Sequence, residues 1–228
     1  MSTVQTEHII APANSKKMLL AMVGIGILCA FLIVVTFELT LPRIEKNKAE
    51  ALEKAIFKVL PGIVKKKTFQ LDENNNFIDV SSEEKKTQVV YAGYDENDNL
   101  VGVAVEASGL GFADVLRVLY GYSPDKETIV GFYVLQSKET PGLGDKIEKD
   151  LDFLENFKAL DVSLVDDNSR IKNKVVPVKK GTKVNPWEVD GITGATISSR
   201  AIGNILGAST ENWIPIIYKN KNTFSAKE

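Results

Sequence analysis

The chain has 228 residues, 44% of them hydrophobic, and a formal net charge of −2. This length allows one full-sized domain with its own core and a smaller additional segment, and the balanced charge gives no indication of nucleic acid as a partner. The one cysteine and one histidine, Cys29 and His8, both precede residue 30, which excludes a zinc site of Cys and His ligands, an iron–sulfur cluster and a Ser-His-Asp triad from the rest of the chain. Chemistry there depends on carboxylates or on a bound cofactor.

A long apolar run is the first strong pattern. After a polar tail at residues 1–17, residues 18–37 form a stretch of about twenty uncharged residues, long enough to cross a lipid bilayer as a helix. The run is long for a signal peptide, and no small-x-small cleavage site follows it. We therefore expect an uncleaved single-pass anchor. Basic residues flank the run on both sides, so charge leaves the side of the membrane open.

A connecting amphipathic helix is predicted next, within residues 38–62. Its apolar residues recur at helical spacing on one face: Leu52, Ala55, Ile56, Val59 and Leu60. Pro61-Gly62 ends this helix, and Lys65-Lys66-Lys67 is expected to be an exposed turn. Residues 63–218 then form the main domain, and the polar residues 219–228 are predicted to be a flexible tail.

Short strands separated by turn residues dominate the first part of the main domain. Four strands forming two hairpins are predicted at residues 87–94, 100–107, 115–122 and 128–135. Consecutive hairpins indicate an antiparallel sheet. Gly109-Leu110-Gly111 between them is predicted to be a loop, with a β-bulge or a point of close backbone approach as the alternatives. An amphipathic helix at residues 145–160 and a short strand at residues 175–179 follow. The predicted fold class is α+β, an antiparallel sheet with packed helices behind one transmembrane helix.

Residues 190–196, Asp-Gly-Ile-Thr-Gly-Ala-Thr, stand directly before a second helical pattern. The apolar residues of this pattern are predicted to form one buried face: Ile197, Ala201, Ile202, Ile205 and Leu206. Thr193 and Thr196 therefore lie at or just before a helix N-terminus, where unpaired N–H groups and the helix dipole favour a phosphate. A threonine hydroxyl in this place either caps the helix or carries a group.

The loop after the fourth strand is the other unusual stretch. It presents Leu143 between two glycines, in Pro141-Gly142-Leu143-Gly144. Such a residue either packs into the core or offers a flat apolar surface to a ligand. Trp187, shortly before the threonine motif, is expected to belong to the core or to a lid rather than to stack on a ligand.

Two motifs carry a family resemblance. Residues 190–196 match the pattern Asp-x-x-Ser/Thr-Gly-Ala-Thr of FMN-binding domains with a covalently attached flavin. Residues 139–147, Glu-Thr-Pro-Gly-Leu-Gly-Asp-Lys-Ile, resemble the corresponding loop of the G subunit of Rnf electron transport complexes. The C subunit of the sodium-pumping NADH:quinone reductase shares much of this loop. The order of anchor, helix, strands, loop and threonine motif also agrees, so the resemblance covers nearly the whole chain.

The resemblance implies that FMN is attached through its phosphate, as a phosphoester, to Thr196. It also implies roles for the other motif residues: Thr193, Gly194 and Ala195 would form the turn around the phosphate, Asp190 would help present the hydroxyl, and Glu139, Thr140 and Leu143 would lie close to the flavin. Many relatives carry histidine at the position of Ser137, so the resemblance does not carry over an imidazole contact near the flavin, although the implied attachment is unaffected. A threonine hydroxyl needs activation, and a separate flavin transferase is expected to supply it.

The function implied is that of a membrane-anchored redox subunit of an ion-translocating oxidoreductase of the ferredoxin:NAD type. It would relay electrons through FMN between neighbouring membrane subunits, without a small substrate of its own. The family places this domain on the outer face of the bacterial cytoplasmic membrane, and a domain without cysteine agrees. Two alternatives are the C subunit of the sodium pump, although Lys146 after Asp145 favours Rnf, and a membrane-tethered flavin sensor or binding module.

Overall fold

The computed structural model describes residues 15–80 and 88–225, and the chain divides into two compact units, Met1–Ala49 and Glu50–Glu228. Most of the predicted N-terminal tail lies outside the described residues. So do Thr87, where the first predicted hairpin begins, and the last three residues of the predicted C-terminal tail.

Helix α1 (Ser15–Val59) contains the predicted anchor and most of the predicted connecting helix, with Pro42 inside it. An 18-residue window of α1 has a mean hydropathy of 3.0 and no buried residues, so by length and composition this helix could cross a membrane. The last residues of α1 belong to the second unit. There Ala55, Ile56 and Val59 are buried, as their helical spacing predicts.

An antiparallel sheet of seven strands, in the order β2-β1-β3-β4-β5-β6-β7, forms the centre of the second unit as far as it is described. The strands are β1 (Lys65–Leu71), β2 (Phe77–Asp79), β3 (Val89–Tyr94), β4 (Leu100–Leu110), β5 (Val115–Ser123), β6 (Thr128–Gln136) and β7 (Leu160–Asp161). Both predicted hairpins are present, as β3–β4 and β5–β6. The α+β fold class is confirmed.

Two stretches predicted to lack regular structure are strands instead. Lys65 to Lys67, expected to be a turn, pair with Tyr94 to Ala92 and begin β1. Strand β4 continues through Gly109 and Leu110, where a loop was predicted. A Cβ atom on Gly109 would lie 2.6 Å from Cγ1 of Ile205, so the glycine allows a helix to approach the strand closely.

Both faces of the sheet are covered by apolar side chains, because successive strand residues point to opposite faces. Tyr91 of β3 faces a cluster formed with Ile56 and Leu60. Its neighbours Val90 and Ala92 face the larger cluster, which includes helix α4 (Thr196–Lys219). Strands β8 (Val176–Val178) and β9 (Glu188–Asp190) form a short parallel pair. Strand β8 contacts α4, and β9 is the strand that precedes α4 in the chain.

The single helix predicted at residues 145–160 is wrong, because the chain forms two short helices there. These are α2 (Lys146–Lys149) and α3 (Leu151–Glu155). Between them Asp150 is extended, with φ −73° and ψ 110°, and its Oδ1 accepts a hydrogen bond from the Phe153 N–H at 3.0 Å. Asp150 therefore acts as an N-cap that starts the second helix in a new direction.

The predicted flexible tail is wrong over its described part. Helix α4 extends to Lys219, and helix α5 (Lys221–Ser225) buries Phe224 in the larger cluster. The Phe224 ring lies 5.0 Å from that of Phe69 and 4.8 Å from that of Phe77, centroid to centroid. The Tyr94 hydroxyl donates to the Phe224 carbonyl oxygen at 2.8 Å. One aromatic side chain thus holds an otherwise polar segment on the domain.

Candidate functional site

The N-terminal end of α4 opens into a cleft that three separate segments form. They are the residues after β4, the loop after β6 and the turn that leads into α4. The cleft has a volume of about 360 Å³ and is lined by Phe112, Glu139, Thr140, Leu143, Gly144, Gly194, Ala195, Thr196, Ile197 and Ser198. The fold therefore brings the two motifs singled out from the sequence to one place.

The threonine motif forms a turn and then the first residue of the helix. The Ala195 N–H donates to the Ile192 carbonyl oxygen at 3.1 Å, and Gly194 adopts φ 82°, a conformation that glycine allows without strain. Ala195 is the N-cap of α4 and supplies no side-chain cap. Thr196 is the first helical residue and is exposed. It therefore does not cap the helix, and the first-turn N–H groups remain available to an anion.

The buried carboxylate of Glu139 ties the three segments of the cleft together. Its Oε1 accepts hydrogen bonds from the N–H groups of Phe112 at 2.7 Å and Ala113 at 3.0 Å. Its Oε2 accepts one from the Ser198 hydroxyl at 2.6 Å. A Cβ atom on Gly144 would lie 2.4 Å from this Oε2, so the loop can pass over the carboxylate only with glycine there. Glu139 thus shapes the cleft through internal contacts.

Three apolar side chains at the cleft are strongly exposed. The exposed fractions are 55% for Leu143, 65% for Phe112 and 56% for Ile197. Leu143 therefore presents an apolar surface instead of packing into the core, which was one of its two predicted environments. Placing Ile197 on the buried face of the helix was wrong, because the first turn of α4 borders the cleft. Phe112 follows a glycine in no recognisable pattern, and the sequence offered no signal for it.

Asp190 and Thr193 are not among the residues that line the cleft. Both carboxylate oxygens of Asp190 accept from the Gly181 N–H, at 2.7 and 2.9 Å. Its backbone N–H donates to Asn156 Oδ1 at 3.0 Å, and its carbonyl oxygen accepts from Asn156 Nδ2 at 3.2 Å. Asp190 therefore fixes the end of strand β9, which leads into the rest of the motif. Thr193 lies exposed in the turn.

Ion pairing stiffens the loop that carries Leu143. Asp145 Oδ1 accepts from the Gly142 N–H at 2.7 Å, and Oδ2 accepts from Lys149 Nζ at 2.6 Å. Lys149 and the Gly142 N–H hold the pKa of the Asp145 carboxyl below its usual value. The carboxylate stays charged near neutral pH and keeps the loop folded over α2.

The site has the parts that a flavin nucleotide requires. Exposed apolar side chains suit a planar ring, while an uncapped helix N-terminus and an accessible threonine hydroxyl suit a phosphate. Residues 111–210 match the family model of the FMN-binding domain. The fold is similar to that of NqrC from Shewanella oneidensis, with a TM-score of 0.61 and 20% identity over 78% of this chain and 99% of that one. Fold and site therefore define an FMN-binding domain.

Relatives with similar sequences show the family to which the chain belongs. The G subunit of the ion-translocating oxidoreductase complex of Methanosarcina acetivorans is 30% identical over 195 residues, which cover 86% of this chain and 92% of the relative. The G subunit of the Na(+)-translocating ferredoxin:NAD(+) oxidoreductase complex of Acetobacterium woodii is 32% identical over 132 residues, 58% of this chain and 55% of the relative. The chain belongs to the family of G subunits of ion-translocating oxidoreductase complexes, which confirms the predicted resemblance.

Proposed function

We propose that this protein is a membrane-anchored electron-transfer subunit of an ion-translocating oxidoreductase of the ferredoxin:NAD type, and that it carries FMN on Thr196. The observation that supports this most is the position of Thr196. Its hydroxyl is exposed at the uncapped start of α4 and lines the same cleft as Leu143 and Phe112. A flavin attached there by its phosphate can lay its ring against these apolar side chains.

The attachment requires an enzyme that supplies the flavin in activated form. A threonine hydroxyl is a weak nucleophile without a base, and the only histidine of the chain is His8. The co-reactant is a flavin pyrophosphate such as FAD, held by a flavin transferase. The Thr196 Oγ–phosphorus bond forms, the pyrophosphate bond breaks, AMP leaves and the hydroxyl proton passes to solvent.

A covalent bond serves retention better than the non-covalent contacts of this cleft. A helix N-terminus stabilises an anion by roughly 0.3–1 kcal/mol, or about 2 kcal/mol when partly buried. This is too little to prevent exchange of a nucleotide. Bound FMN would supply one- and two-electron chemistry, and the protein positions its ring and excludes water from one side. Glu139 and Gly144 keep the walls of the cleft in place for that purpose.

The proposal also includes a location for helix α1 and partner subunits for electron transfer. We place α1 in the bacterial cytoplasmic membrane and the FMN-binding domain on its outer face. Other membrane subunits of the complex would deliver and accept electrons. The name of the Acetobacterium woodii relative describes a Na(+)-translocating complex that acts between ferredoxin and NAD(+). Co-purification with such subunits separates this role from that of a lone flavin sensor.

The mass of the peptide that contains Thr196 tests the attachment. After co-expression with a flavin transferase, we expect this peptide to gain one FMN less water and the denatured protein to fluoresce in a gel. Thr196→Ala should abolish both signals. Thr182→Ala is the control, because Thr182 is an exposed threonine that does not line the cleft. A Thr196→Ala protein that stays fluorescent after denaturation contradicts the assignment.

A further inference from the structure

A lysine side chain approaches the turn at Gly194 that precedes helix α4. Lys146 is the first residue of α2, directly after the loop that carries Leu143. Its Nζ would lie 3.7 Å from a Cβ atom placed on Gly194, whose turn leads straight into Thr196. The ammonium group therefore lies next to the turn that ends two residues before Thr196.

The backbone of Lys146 is held firmly in this position. The next residue, Ile147, is fully buried in the larger cluster, and the Lys146 N–H donates to the Leu143 carbonyl oxygen at 3.4 Å. Gly144 packs on the Glu139 carboxylate and lies close to the Ser198 hydroxyl. The start of α2 and the start of α4 are thus fixed relative to each other through these contacts.

The charge of Lys146 is not balanced by the protein. Within residues 15–80 and 88–225 no ion pair joins Lys146 to an acid. The nearest carboxylate in sequence, Asp145, pairs with Lys149 at 2.6 Å. Lys146 is partly buried and faces the uncapped, partially positive end of α4. Two positive groups that face one space favour an anion between them.

We propose that Lys146 is a positioning residue that holds the phosphoryl group of the flavin nucleotide at the threonine turn. This inference rests on the proposed attachment of FMN to Thr196 and identifies the cation that acts in it. A lysine ammonium donates charge-assisted hydrogen bonds to phosphate oxygens as a point charge. It guides the activated flavin to the hydroxyl and then contacts the phosphodiester of the product.

The test compares initial rates of FMN attachment to the purified full chain in detergent, with FAD and a flavin transferase. We expect Lys146→Gln to lower kcat/KM for attachment about tenfold, the effect of losing one hydrogen bond between charged groups. Lys146→Arg keeps the charge and should restore most of the rate. Lys158→Gln is the control, because it removes an exposed lysine that pairs with Glu155 and does not line the cleft. This control should attach FMN at the wild-type rate.

A second measurement reads the contact itself. The phosphorus-31 resonance of the attached flavin should shift between wild type and Lys146→Gln, and should not shift in Lys158→Gln. A Lys146→Gln protein with the wild-type rate and resonance overturns the inference, and so does an equal rate loss in Lys158→Gln. Wild-type protein that gains no FMN mass overturns the attachment to Thr196 itself, which distinguishes the two failures.

Discussion

At the scale of single residues, the Glu139 carboxylate holds together the segments that form the cleft. It is buried and accepts from the backbone N–H groups of Phe112 and Ala113 in one segment and from the Ser198 hydroxyl in another. The family resemblance implied that Glu139 lies close to the flavin. The structure adds that its oxygens are already used by the protein, so its contribution is to hold the walls of the cleft together.

Glu139→Ala should therefore destabilise the domain, because the N–H groups of Phe112 and Ala113 lose their acceptor. We expect a loss of about 0.5–1.5 kcal/mol for each hydrogen bond removed, measured by urea unfolding of the purified chain in detergent. Glu139→Gln is the matched control. Its amide oxygen can still accept from both N–H groups while its NH₂ donates to the Ser198 oxygen, so most of the stability should remain. An alanine variant as stable as the glutamine variant would refute this role.

At the scale of secondary-structure elements, the least expected feature is helix α5. The segment that contains it is polar, and only Phe224 distinguishes it from a flexible tail. That side chain packs between Phe69 of β1 and Phe77 of β2. Because β2 is an edge strand of only three residues, the α5 contact supplies much of the apolar packing at that edge of the sheet.

Phe224→Ala should cost about 3–5 kcal/mol of folding free energy, since it removes a fully buried aromatic side chain. The comparison with Val184→Ala isolates the effect of burial, because Val184 is 86% exposed and its loss should change stability by no more than about 0.5 kcal/mol. Thermal or urea unfolding of both variants provides the measurement. Equal stability of the two variants would show that α5 does not contribute to the core.

At the scale of the whole molecule, the apolar helix α1 and the FMN-binding domain differ in whether their hydrophobic residues are buried. The apolar part of α1 has no buried residues, whereas the other unit has apolar clusters on both faces of its sheet. Basic residues on both sides of the apolar run do not determine which side the domain occupies. The outer face is our proposal, based on the family resemblance and on the absence of cysteine after residue 29.

Reporter fusions after residue 228 test the side of the membrane directly. With the domain outside, fused alkaline phosphatase should be active in cells, because it needs an oxidising compartment for its disulfides. A fused cytoplasmic fluorescent protein should stay dark. A fusion with residues 1–17 replaced by the same reporters gives the opposite readout and serves as the control. A fluorescent C-terminal fusion together with inactive phosphatase would place the domain in the cytoplasm.

Local patterns in the sequence were sufficient to predict those structural elements that neighbouring residues determine. A long apolar run predicts a helix that can cross a membrane, and alternating apolar residues with turn residues between them predict the β3–β4 and β5–β6 hairpins. The motif at residues 190–196 indicated a helix N-terminus suited to phosphate, and α4 begins at Thr196. The same motif and the loop at residues 139–147 were enough to identify the family.

Only the tertiary structure decided which side chains share the cleft and which do not. Asp190 belongs to the motif but bonds to Gly181, whereas Phe112 and Ile197 meet at the cleft from two segments without a pattern that links them. The physical reason is that hydrophobic periodicity reports which face of an element is buried, not which distant element lies opposite. The proximity of Lys146 to the Gly194 turn depends on packing between elements far apart in the chain.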